Sequence, residues 1–82
     1  MVTTIITISE KNEALFKLAL GRIGSVLDEN ELDAKASLTK VEKETGLNIG
    51  TFTFESKYAV ALDVAEEAFR TVKNVIVNIT TY

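Results

Sequence analysis

Glu31-Leu32-Asp33-Ala34-Lys35-Ala36-Ser37-Leu38-Thr39-Lys40-Val41-Glu42-Lys43-Glu44-Thr45-Gly46 reads two ways, and the topology turns on which is right. Ala34, Ala36 and Leu38 alternate as on a strand, whereas Ala34, Leu38 and Val41 share a helical face. As a strand the segment hairpins into residues 47–56, with Gly46 at the left-handed position of a short turn, and the chain is βαββαβ. As a helix over residues 31–45 it starts near Asn30 and ends with Gly46 at C′ and Leu47 as the apolar partner of a Schellman motif, and the chain is βααβαβ.

The flanks favour the strand. Val2, Thr4, Ile6 and Ile8 alternate with Thr3, Ile5 and Thr7 in a β-branched run that predicts a first strand. Ser9 is a natural N-cap for a helix with apolar residues at Leu15, Leu18, Ala19, Ile23, Val26 and Leu27. Gly21 and Gly24 weaken its later half unless close packing requires them. Towards the other end Thr51-Phe52-Thr53-Phe54 predicts a strand, and Ser56 caps a helix with apolar Tyr58, Ala61, Leu62, Ala65, Ala68, Phe69 and Val72. Within it Glu66 and Arg70 form an i,i+4 pair, and Asn74 suits a left-handed cap before the alternating strand of Val75, Val77 and Ile79. Each half then repeats strand, serine-capped helix, strand. The expected fold class is α+β, a single domain over residues 1–82 with a four-stranded antiparallel sheet and two helices on one face, the ferredoxin-like plan. That label carries no function.

Composition removes most familiar chemistry. The 82 residues include no histidine, cysteine, tryptophan or proline. Histidine is the commonest general base and metal ligand, and cysteine the strongest side-chain nucleophile, so the expectation is a non-enzyme with no catalytic residues, no cofactor and no metal. Asp28, Glu29, Glu31 and Asp33 form the one acidic cluster, but Leu32 stands where an EF-hand loop needs its third ligand. It reads as a solvated connection or the acidic first turn of a helix. Nine Lys and Arg against twelve Asp and Glu leave a net charge of −3 with the bases scattered, which predicts no affinity for nucleic acid or a membrane surface. The absence of cysteine, and of a basic and apolar leader at Met1–Ile8, points to a cytoplasmic protein.

Nucleic-acid motifs fit poorly. Phe52 and Phe54 lack the basic and glycine neighbours of RNA-stacking strands, and Gly21-Arg22-Ile23-Gly24 has the GxxG spacing of a KH loop but is followed by acids, so close helix packing accounts better for its glycines. Ser37–Thr51 resembles a helix-turn-helix whose second helix runs into the extended Thr51–Phe54.

By parity Val2, Thr4, Ile6, Ile8, Phe52, Phe54, Val75, Val77 and Ile79 face the helices. That leaves an open, threonine-rich face on which Ile5, Thr7, Thr51, Thr53, Ile76 and Asn78 are the candidate partner-binding residues. Val60 and Val64, one turn apart beside Asp63 and Glu67, form a secondary candidate patch or, as broad apolar arcs more commonly do, widen the buried stripe. The expected function is a protein–protein interaction module, self-associating as a dimer, in the manner of a small phage-encoded regulator or inhibitor. The alternatives are a small-molecule sensing domain with its ligand at a dimer interface beside Gly21 or Gly24, and a nucleic-acid-binding protein.

Overall fold

The computed structural model describes residues 1–33, 35–42 and 44–82, and over residues 35–41 the course of the backbone. The elements run β1 (Val2–Glu10), α1 (Glu13–Glu29), β2 (Lys35–Val41), β3 (Asn48–Ser56), α2 (Tyr58–Thr71) and β4 (Ile76–Thr81). This is a small α+β domain with two helices on an antiparallel sheet. The strands lie in the order β2-β3-β1-β4, of which β3, β1 and β4 carry described side chains.

The first strand runs longer than its helix signal suggests. Ser9 is no cap. It pairs with Ile49 on one side and Ile76 on the other, and Glu10 still pairs with Asn48. Asn48 holds the turn by donating from Nδ2 to the carbonyls of Glu10 (3.0 Å) and Lys11 (3.3 Å). The cap is Asn12, whose Oδ1 accepts the Leu15 N–H at 3.1 Å. Asparagine caps as well as serine does, so the ladder takes two more residues without cost to the helix.

At its other end α1 closes in a Schellman motif. The Glu31 N–H donates to the Asp28 carbonyl at 3.0 Å and the Leu32 N–H to the Leu27 carbonyl at 3.0 Å, with Glu31 left-handed at φ 56°. Leu32 supplies the apolar contact by packing against the core. The acidic cluster is therefore the end of a helix, where the macrodipole is negative, and not a first turn.

Lys35–Val41 is a strand, which removes both the helical alternative and the helix-turn-helix. Between β2 and β3 the Glu42 N–H donates to the Leu47 carbonyl and the Gly46 N–H to the Glu42 carbonyl, both at 2.8 Å, with Gly46 at φ 72° as expected of the turn. Pairing of β2 with β3 shifts register between Ser37 and Lys40. On β3 it is Gly50 that permits close approach: a Cβ there would lie 2.9 Å from Leu20 Cδ2 and 3.0 Å from Phe16 Cζ. Gly21 and Gly24, by contrast, have nothing within 4 Å of a built Cβ, so close packing does not explain the helix glycines.

The second helix likewise starts without the expected cap. Ser56 ends β3, is 4% exposed and donates its Oγ to the Lys57 carbonyl, while Lys57 is an N-cap with no side-chain bond. Arg70 meets Glu67 at 3.4 Å, and not Glu66. Asn74 is left-handed at φ 67°, two residues beyond the C-cap Val72.

The core lies between the layers. Ile6, Ile8 and Phe54 from the sheet meet Phe16, Ile23, Val26 and Leu27 of α1 and Val64 and Ala68 of α2. α1 packs over β1 and β3, and α2 over β1 and β4. Among the described residues no helix or strand covers the opposite face of the sheet.

Candidate functional surface

The register arranges the open face in rows. Ile49, Ser9 and Ile76 stand side by side across β3, β1 and β4; then come Thr51, Thr7 and Asn78; then Thr53, Ile5 and Thr80. Ser37 and Lys35 of β2 pair with Thr51 and Thr53 at the edge. Side chains in the rows across β3, β1 and β4 are neighbours within reach of one ligand or partner. The structure thus brings together all six candidate residues, Ile5, Thr7, Thr51, Thr53, Ile76 and Asn78. Those of β1 and β3 are half-buried by their neighbours, while Asn78 is exposed and Ile76 is 59% exposed. None of the nine residues is charged. A carboxylate enters only at the next row, where Glu55 pairs with Thr3.

The secondary patch is not a surface. Val64 is 0% exposed and belongs to the core, and Val60 packs against that core. The stripe of α2 is centred on Ala61, Val64, Ala68 and Val72, not on the larger apolar residues beside it. Alanines let the helix sit close to the sheet, since the distance between packed elements follows the size of the contact residues. Tyr58, Leu62 and Phe69 are consequently left on the flank, 58%, 48% and 54% exposed. On α1 the same rotation leaves Leu15 and Leu18 outside and buries Phe16.

The surface also has a concavity between the helices, beside Gly21. A cleft of about 770 Å³ between the helices is lined by Leu18, Gly21 and Ser25 with Lys17, Arg22, Glu29, Glu67 and Arg70. Its cations have partners already. Lys17 pairs with Glu13 at 3.2 Å, Arg70 with Glu67, and Arg22 Nη1 donates to the Thr71 carbonyl at 2.7 Å. Arg22 and Thr71 are 49 residues apart, so only the antiparallel helix packing brings them together. Among the described residues no group of three or more carboxylates could hold a metal ion, and no helix is long and apolar enough to cross a membrane.

No protein-family model matches this sequence, and no curated protein matches it either. Solved structures do. The designed protein Foldit4 is similar at TM-score 0.76 and 16% identity, over 99% of this chain and 94% of that one. An acylphosphatase from Bacillus subtilis is similar at TM-score 0.65 and 9% identity, over 100% and 86%. An uncharacterised protein from Thermotoga maritima is similar at TM-score 0.61 and 14% identity, over 99% and 98%. At such identities the likeness is one of fold, ferredoxin-like, and a designed protein and an enzyme share it without sharing chemistry.

Proposed function

We propose that this chain is a non-catalytic binding module that takes a partner protein on its open sheet face, as a small regulator or inhibitor does. The observation that carries the reading is the uncharged three-row surface of Ile5, Thr7, Thr51, Thr53, Ile76 and Asn78 on a chain of net charge −3. Such a surface offers methyl groups and hydroxyls but no charge to desolvate, which suits a protein interface core better than a polar metabolite. The rigid strands beneath it hold those groups in fixed rows, so little side-chain entropy is lost on docking. The test compares affinity capture by the wild type with capture by Ile5→Glu/Ile76→Glu, both checked for folding by circular dichroism. A partner retained by the first and lost from the second supports the reading. Equal retention of every captured protein contradicts it.

A second reading has one observation in its favour. Gly21 lines the inter-helix cleft although neither packing nor backbone conformation requires a glycine there, which suits the approach of a small ligand. A true ligand would raise the melting temperature with the logarithm of its excess over the dissociation constant. A flat response across amino acids and nucleotides counts against this reading.

A further inference from the structure

We infer that β4 and the adjoining flank of α2 form an interface for a second copy of this chain, joining two sheets edge to edge. This stands independently of what the open face binds. The two edges of the sheet differ in kind. Pairing of the β2 edge strand has a register irregularity between Ser37 and Lys40, a feature that discourages further strand pairing. The β4 edge, Ile76-Val77-Asn78-Ile79-Thr80-Thr81, has no charge, no proline and no irregularity in its pairing with β1.

The backbone groups free to pair can be named. Thr3 and Tyr82 exchange both of their N–H···O=C bonds, at 3.2 and 2.8 Å, and the antiparallel ladder alternates from there. Thr80, Asn78 and Ile76 therefore turn their backbone groups towards β1, and Thr81, Ile79 and Val77 turn theirs outward. A two-fold axis perpendicular to the sheet can set Ile79 against its own copy and Val77 against Thr81 of the other chain. A symmetric interface apposes like with like, so a charge near the axis would be repelled by its copy. This strand carries none.

The helix above completes the contact. With 100° per residue, Tyr58, Leu62 and Phe69 fall on the flank of α2 opposite Glu67, Arg70 and Thr71, which face α1. α2 lies over the β4 side, so those three exposed apolar side chains overhang the free edge. The same two-fold places them opposite their counterparts, as a helix layer above the joined sheet.

Sedimentation or light scattering on the wild type tests this, together with two variants that spare the intrachain ladder. Leu62→Glu/Phe69→Glu changes only exposed helix positions, and Thr81→Pro removes an outward N–H. The wild type is expected at twice the 9.0 kDa chain mass, with its dissociation constant weakened at least ~10-fold in each variant. A wild type that stays at 9.0 kDa up to about 1 mM, where even a millimolar dissociation constant would register, overturns the inference. So does a dimer that persists in both folded variants. Should a variant fail to fold, amide exchange in the wild type decides. The outward amides of Val77 and Ile79 are expected to be as protected as the inward amides of Asn78 and Thr80, and fast exchange at the outward set overturns the proposal.

Discussion

Thr4 shows how a single residue can depart from the best local choice. It is 0% exposed on the helix-facing side of β1, and its Oγ1 is the buried side-chain polar atom that, among the described residues, has no hydrogen-bond partner. An orphaned hydroxyl costs its desolvation, so Thr4→Val is expected to raise stability by about 1 kcal/mol. A higher urea midpoint with an unchanged slope would bear this out, and a lower midpoint would mean that the hydroxyl has a partner in solution. Glu31 departs in the same sense, since a residue with a Cβ sits at φ 56°. Glu31→Gly should stabilise by about 1 kcal/mol by relieving the left-handed strain and removing an acid from a helix C-terminus. Loss of stability on that change would show that the Glu31 side chain holds the turn. The left-handed Gly46 could be anticipated from the sequence because glycine announces its role. Glu31 could not, because glutamate gives no sign of a Schellman motif.

At the scale of elements the sequence is clear about β1, β3 and β4, ambiguous about β2, and misleading about how helices begin and face. Strand parity depends on one alternation, and of the β1 and β3 residues predicted to face the helices Ile6, Ile8, Phe52 and Phe54 meet the core and Thr4 is buried, while Val2 stands outside the core cluster. Helix starts were misplaced because Ser9 and Ser56 look like caps in isolation, yet each is held in a strand. The expected stripe of α2 is rotated from the observed one, because Tyr58, Leu62 and Phe69 are more apolar than the alanines that set the contact and draw the pattern away from Val64. Alanine scores weakly in a hydrophobic pattern but governs how close the layers come. The helix glycines are the remaining anomaly. Gly24 is not required by φ or by a neighbour, so Gly24→Ala should raise the melting temperature, by a stability gain of about 1 kcal/mol. An unchanged or lowered melting temperature would imply that α1 needs its mid-helix flexibility.

For the whole molecule the legible part is the architecture, and the illegible part is what it meets. The hairpin at residues 35–56 decides the topology, and its turn glycine, Gly46, serves both readings. The surfaces follow only from register, which sequence parity approximates but does not align across strands. Register also bounds affinity. Three strands about 4.8 Å apart and five residues long give a patch on the order of 240 Å², well short of the ~800 Å² per partner of a standard interface. The proposed joining of two sheets through β4 would keep both open faces on one side and double the patch.

The measurement closest to the central claim is site-specific photo-crosslinking in the native cell, with the reactive side chain placed at Thr51 on the open face or at Asp63 on the outer surface of α2. The account predicts a discrete adduct with a foreign protein from Thr51 and none from Asp63. Adducts from Asp63 alone, from neither position, or only between two copies of this chain through Thr51 would contradict it.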